Sequence, residues 1–306
     1  MDVALAVDLG GTKVEAALVD ASGTVLPGSR SRAATGAEAD AAGLRAAVAE
    51  VVTRATAALP GGATVRGAGI GSAGPVDADA GTISPLNLPG AARFDIVDAV
   101  RAALPTAWTD GPVRLALDGQ CIALSETRRG AGRGGRVVLG MVVSTGIGGG
   151  VVIDGRPVRG ASGNAGHIGQ VAVAGFTAEG GLAATVERVA SGPNAVRWAR
   201  DQGWSGDTGE ELARGCATGD ALAIAAVERS AAAVGAALVS AAALLDLDVV
   251  VIGGGFSRVT DDYVARVAAA RDAAAPFPFL ARARIVPAAL GDESPLVGAA
   301  ELVLGD

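Results

Sequence analysis

Two glycine turns, each set between apolar runs, constrain this chain more than any other feature. The first is Asp8-Leu9-Gly10-Gly11-Thr12-Lys13, which follows the apolar residues 3–7 and leads into residues 14–19. The second is Ser144-Thr145-Gly146-Ile147-Gly148-Gly149-Gly150, which follows residues 137–143 and leads into residues 151–153. Glycine-rich turns let successive backbone N–H groups face one point, which makes an anion-binding concavity. Strand, glycine turn and strand, met twice, implies two hairpins that close on one polyphosphate from opposite sides.

The rest of the composition narrows the setting. A chain of 306 residues has room for roughly two domains with cores of their own. Half of it is hydrophobic and 19% is charged, which excludes extended disorder. A net charge of -7 argues against a nucleic-acid or anionic-membrane surface, which needs basic patches. It does not argue against a nucleotide, because a metal ion and oriented amides supply positive field locally. The only cysteines, Cys121 and Cys216, read as small buried hydrophobes in a reducing compartment. The N-terminus lacks a basic segment leading into an apolar one, so the expectation is a cytoplasmic protein without a signal peptide. The longest uncharged helical stretch, 230–245, is short of a membrane span and is expected in a core.

Periodicity predicts strands at 3–8, 14–19, 24–32, 65–70, 113–117, 137–143, 151–153 and 249–252. Helices are expected at 37–59, 96–104, 118–129 and 294–304, with helices dominating 182–245. Residues 71–90 and 154–181 read as loops, the second a candidate substrate loop. Alternating strands and helices indicate an α/β protein.

Transfer of a phosphoryl group asks for positioning and charge neutralisation more than covalent chemistry. Gly10 and Gly11 permit close backbone approach, Thr12 offers a hydroxyl, and Asp8 has the carboxylate to orient hydrated Mg²⁺. Lys13 touches either phosphate or solvent. The turn fits neither G-x-G-x-x-G nor the Walker A pattern. Taken with the second glycine turn, however, the sequence resembles the ROK family (repressors, open reading frames and sugar kinases) of the actin-like ATPase superfamily. The first turn matches that family's D-x-G-G-T-K. Gly71-Ser72-Ala73-Gly74-Pro75-Val76-Asp77 and Asn87-Leu88-Pro89-Gly90 match its sugar-side loop. Residues 144–150 match its second phosphate loop, Val251-Ile252-Gly253-Gly254-Gly255 its nucleoside-side turn, and residues 291–300 the start of its final helix.

The resemblance implies a two-domain actin-like (ribonuclease H-like) fold with an interdomain cleft. Residues 1–116 with 292–306 would form the smaller domain and 117–291 the larger. It implies ATP with Mg²⁺, held by Asp8, Gly10, Gly11, Thr12, Lys13, Thr145, Gly146, Gly148, Gly254 and Gly255. Asp118 matches the family's catalytic base. A carboxylate at a helix N-terminus is favoured as the anion, which suits a proton acceptor and an N-cap alike. On the sugar side the resemblance points to Gly74, Asn87, Asn164, His167 and Glu187, although Asn before Leu-Pro-Gly is also a plain turn residue.

Two departures fall there. Leu117 stands where the family has Asn, and Asn164-Ala165-Gly166-His167 stands for its E-x-G-H, so a carboxylate that only accepts is replaced by an amide that also donates. The family's zinc cysteines are also missing. The corresponding stretch, Ala178-Glu179-Gly180-Gly181-Leu182-Ala183-Ala184-Thr185, holds none, so no structural zinc is expected. The implied activity is transfer of the γ-phosphate of ATP to a hexose hydroxyl, by default the 6-hydroxyl of glucose, in a homodimer. Other hexoses or N-acyl hexosamines, and a weakly catalytic binding or regulatory protein, are the alternatives. A DNA-binding regulator is disfavoured, since the first strand starts at Val3.

Overall fold

The computed structural model describes residues 1–36, 40–85, 88, 90, 92–108, 110–177 and 183–305. One five-stranded sheet is built from β1 (Asp2–Leu9), β2 (Lys13–Asp20), β3 (Ser31–Ala34), β4 (Thr64–Ser72) and β8 (Val113–Leu117), in the order β3-β2-β1-β4-β8. Two short helices of the chain's first half, α1 (Ala41–Thr56) and α2 (Ile96–Ala103), lie against it. The strand pairs β5 (Val76–Asp77), β6 (Thr82–Ile83) and β7 (Phe94–Asp95) form a small separate sheet. A second five-stranded sheet follows after α3 (Asp118–Arg129). Its strands are β9 (Val137–Val143), β10 (Ile147–Ile153), β11 (Arg156–Pro157), β14 (Val249–Gly253) and β15 (Arg284–Pro287), in the order β11-β10-β9-β14-β15.

The two sheets repeat one topology. In each, the first strand pairs antiparallel with the second through a hairpin, and parallel with the fourth on its other side. Between the strands of the second sheet come the hairpin of β12 (Ala172–Thr177) and β13 (Ala183–Thr185), then α4 (Val186–Ala190), α5 (Gly192–Asp201), α6 (Gly209–Thr218), α7 (Ala221–Leu245) and α8 (Tyr263–Ala274). The chain ends in α9 (Ser294–Leu304).

Strand β1 shows why its apolar run is unbroken. Val3, Leu5, Val7 and Leu9 face Leu44, Val48 and Val51 of α1, whereas Ala4 and Ala6 face Leu296, Ala299 and Ala300 of α9. A strand covered on both faces has no polar side to show. The small residues sit where α9 comes closest: a Cβ on Gly69 of β4 would fall 1.7 Å from the Ala299 carbonyl oxygen. The helices α3 and α9 cross at Gly298, whose own Cβ would fall 1.8 Å from the Cys121 carbonyl oxygen. Helix α3 in turn rests on the second sheet, with Ala123 and Leu124 against Val138, Val152 and Val251. The buried Glu301 of α9 binds Arg128 and Arg129 of α3, and Arg129 also donates to the carbonyls of Ala21 and Ser22. The largest core surrounds the buried face of α7, a helix long and apolar enough to cross a membrane, of whose most apolar window 56% is buried in the protein.

Some expected elements move. The strand expected at 24–32 is β3, at Ser31–Ala34; Val25 makes only an isolated bridge to Val19, and Gly28 at φ 75° turns the chain in between. The second glycine turn is confined to residues 144–146, and residues 147–150 are strand β10. The helical stretch expected from 182 begins with β13. Within 154–181 lie β11 and β12, and β15 and α8 had no counterpart in the sequence reading.

Candidate active site

At the β1–β2 hairpin, Leu9 pairs with Val14, and the Gly10 N–H donates to the Lys13 carbonyl at 2.9 Å. Asp8, the last residue but one of β1, pairs with Gly71 of β4. Its carboxyl is pushed up to about 7, first by burial and then by the facing carboxylates Asp118 and Glu15, against the pull of Lys13 and Arg30. Lys13 pairs with the buried Glu15 at 3.2 Å, and Arg30 and Arg32 bind the same carboxylate. Burial raises the Glu15 carboxyl, but hydrogen bonds from Arg30, Lys13 and Arg32 outweigh it and hold it below the usual range.

At the β9–β10 hairpin, the Ser144 N–H donates to the Gly146 carbonyl at 2.9 Å, and the Gly192 N–H donates to the Ser144 carbonyl at 2.8 Å. The Ile147 N–H donates to Oε2 of Glu187 at 2.8 Å, so this carboxylate holds the turn from below. Gly254, at φ 98°, lies so close that a Cβ would fall 2.5 Å from the Val143 carbonyl oxygen. No L side chain fits that approach.

Both hairpins open on one cavity of about 840 Å³. Its lining brings together Asp8, Gly10, Lys13, Asp118, Gly254 and Gly255. A neighbouring cavity of about 880 Å³ is lined by Thr145, Phe256, Arg197 and residues of α5 and α6, and it shares Ser144, Gly255 and Arg258 with the first. The two cavities thus adjoin, with the carboxylates of Asp8 and Asp118 on the first and residues of α5 and α6 on the second. Gly11 and Thr12 stand at the first hairpin's tip and Gly146 at the second's, outside the cavity lining. Gly148 lies beside the base candidate: a Cβ on it would be 3.5 Å from Oδ1 of Asp118.

Asp118 is the first residue of α3, and its Oδ1 accepts from the Gly119 N–H at 2.6 Å. Burial raises its carboxyl pKa; the Gly119 N–H and His167 oppose the rise and Glu187 adds to it. His167 and Leu117 converge on Gly74, where a Cβ would fall 2.5 Å from Cδ2 of Leu117 and 3.4 Å from Cε1 of His167. Gly74 and His167 thus meet beside Leu117, and His167 and Glu187 lie near enough to Asp118 to act on its charge, while none of the three lines the cavity that Asp118 lines. Asn164 reaches Val76, with Oδ1 accepting from its N–H at 2.9 Å and Nδ2 donating to its carbonyl at 2.6 Å. Asn87 lies outside the described residues, as do residues 178–182 of the stretch read as lacking zinc ligands. Among the described residues no group of three or more His, Cys, Asp or Glu is arranged to hold a metal ion.

Three participants escaped the sequence reading. Arg258, three residues after Gly255, stands where the two cavities join. Glu15 collects the basic side chains at the first hairpin. Gln120, two residues past Asp118, donates from Nε2 to three carbonyls of a distant loop. Only Arg258 had a sequence signal, its closeness to the third glycine run.

The ROK family model matches residues 4–306. The N-acetylmannosamine kinase of Yersinia pseudotuberculosis serotype O:1b (strain IP 31758) is 33% identical over 306 aligned residues, covering 98% of each chain. Among solved structures, the ROK hexokinase from Thermus thermophilus superposes with a TM-score of 0.81 at 32% identity, covering 97% of this chain and 96% of that one. The ROK family glucokinase from Streptomyces griseus, in complex with glucose and AMPPNP, superposes with a TM-score of 0.80 at 28% identity, covering 99% of this chain and 100% of that one.

Proposed function

The chain belongs to the ROK family and is an ATP-dependent sugar kinase; on that premise we propose that Asp118 takes the proton of a hexose 6-hydroxyl as it attacks the γ-phosphate. The observation that carries this reading is the single cavity onto which Asp118 and both hairpins open. The triphosphate lies along Gly10, Ser144 and Gly255, and the nucleoside fills the cavity beside α5 and α6. The sugar oxygen forms a bond to the γ-phosphorus, the bond to the β–γ bridging oxygen breaks, ADP leaves, and the proton passes to Asp118. Thr145, Gly146 and Gly148 shape the second phosphate wall, and Gly11, Thr12 and Lys13 the rim of the first. Gly74, His167 and Glu187 border the sugar, and Asn87 is assigned to the same side by the family motif alone.

Asp8 suits Mg²⁺. It is a hard oxygen donor whose pKa is raised first by burial and then by the carboxylates of Asp118 and Glu15, with no side-chain hydrogen bond to it seen among the described residues. When bound with ATP, the cation neutralises phosphate charge. Asp8 would hold it, and the Asp118 carboxylate nearby adds to the favourable field. No zinc is part of this proposal. The domain boundary falls at 116/117, with 292–306 returning to the first domain; the packing of α9 on β1 and β4 supports it. The enzyme is proposed to act in the cytoplasm as a homodimer.

Glucose is the default substrate. An N-acyl hexosamine is the second reading, favoured by the buried, apolar Leu117 beside Gly74 and His167 and by the activity named for the Yersinia relative. A coupled ADP-release screen over glucose, mannose, N-acetylglucosamine and N-acetylmannosamine tests both. Sugar-dependent ADP release is expected; its absence with every sugar sinks the kinase reading, and an N-acyl-only response replaces glucose.

A further inference from the structure

We infer that Asn164 is a positioning residue for the sugar site, acting with Gln120 as a clasp between two loops rather than by touching the sugar. This rests on the sugar-kinase reading and departs from the role that family resemblance gives to position 164.

The Gln120 side chain is 1% exposed and its hydrogen bonds all run to backbone. Its Oε1 accepts from the Leu117 N–H at 3.3 Å, and its Nε2 donates to the carbonyls of Val158 at 3.1 Å, Gly163 at 3.1 Å and Ala165 at 2.9 Å. One side chain in the first turn of α3 therefore fixes the loop that carries Asn164 and ends at His167. A buried amide whose donors and acceptor are all engaged holds a single geometry, because losing a partner strands a polar group.

The clasp closes at Asn164. Its amide pairs with both backbone groups of Val76, and its Nδ2 also meets Oγ of Ser162 at 3.1 Å. The Ala78 N–H adds a longer bond to the Ser162 carbonyl at 3.4 Å. Val76 is two residues from Gly74, where an added Cβ would meet Leu117 and His167. An unbroken path thus joins the base, through Gln120 and Asn164, to the opposite rim of the sugar site. Both Nδ2 hydrogens and one Oδ1 lone pair of Asn164 are already engaged. This also explains why an amide stands here: a carboxylate accepts from the Val76 N–H but cannot donate to the Val76 carbonyl.

Asn164→Asp separates positioning from contact, because it keeps the shape and the acceptor while losing the donor. A positioning role predicts a rise in sugar KM of about tenfold or more, since small displacements of a bound reactant are costly. The rise is the same factor for the best sugar and for its 2-deoxy and 3-deoxy analogues, with the KM for ATP unchanged within about twofold. Gln120→Asn shows the same pattern, and the double variant is less than additive, as for coupled neighbours. Direct contact predicts instead that Asn164→Asp is tolerated, or that its penalty vanishes for the one analogue lacking the contacted hydroxyl; either result overturns the clasp. Should Asn164→Asp not fold, Asn164→Ala carries the same deoxy-sugar comparison without the added charge. Wild-type turnover on the sugar panel tests the kinase reading separately, so the two cannot fail unseen together.

Discussion

The β1–β2 and β9–β10 hairpins have the same strand pairing, yet they use glycine for different ends. Around Gly10 there is space: a Cβ would meet only the Lys13 carbonyl oxygen, at 3.7 Å. At Gly149 and Gly150 of β10 there is none. A Cβ on Gly149 would fall 2.9 Å from the carbonyl oxygens of both Gly140 and Gly166, and one on Gly150 would fall 2.3 Å from Cα of Gln120. A Cβ on Gly119 would in turn fall 2.4 Å from the Gly149 nitrogen. The first hairpin's glycine keeps a backbone edge open to the cleft. The second hairpin's glycines let the start of α3, with Asp118 on it, lie directly on a strand. The same residue type leaves an open backbone edge in one hairpin and permits close packing under the proposed base in the other.

The sharpest way to break that contrast is to add one methyl group to each hairpin. Gly150→Ala forces backbone against backbone, and overpacking of that kind costs about 3 kcal/mol or more. The expected result is a large fall in denaturation midpoint with activity nearly lost; a variant of wild-type stability would show that α3 does not need the close approach.

Of intermediate size is the pH effect at Asp8. Its folded pKa of about 7 lies above the reference value of 3.8, so the native state binds this proton more tightly than the unfolded chain. In the metal- and nucleotide-free protein, this group's contribution to stability falls as pH rises from about 4 to about 7 and is flat above. Asp8→Asn removes that part of the slope, as read by denaturation midpoints across the range. In the wild type, the affinity for Mg·ATP weakens as pH drops below about 7, because protonation competes with the cation. Equal pH slopes for wild type and Asp8→Asn would show that Asp8 does not titrate there.

The smallest effect belongs to Gly10→Ala. With nothing closer than 3.7 Å, the methyl group fits, and stability stays level or rises by about 0.5 kcal/mol through a less flexible unfolded chain. Only nucleotide affinity weakens, by a few-fold, as titration with AMPPNP would measure. A stability loss matching that of Gly150→Ala would erase the distinction between the hairpins.

Much of the fold was legible because its central strands are buried on both faces and its helices carry clear ends. Val113–Leu117, Asp118–Arg129, Val137–Val143 and Ser294–Leu304 fall where periodicity put them. The glycine half of β10, residues 147–150, was read as a loop because glycine is a poor strand former by itself, and what makes it strand is pairing with β9 and the helix lying on it. β15 is short and ends in Pro287, so it carries no strand pattern of its own. In the site, Asp8, Asp118 and the glycine turns were visible because their chemistry is local. The engagements of Gln120 and Asn164 were not, because their partners lie 38 to 45 and 88 residues away in sequence. Nothing near either residue in the chain announces a backbone carbonyl that far off.

The account depends most on Asp118 as the proton acceptor between the two hairpins. Asp118→Asn keeps the side-chain size and the bond from the Gly119 N–H but cannot take up the proton, so sugar phosphorylation should fall by about 10²–10⁴-fold, with AMPPNP binding and denaturation midpoint close to wild type. Turnover within a few-fold of wild type in a variant that still binds AMPPNP would contradict it.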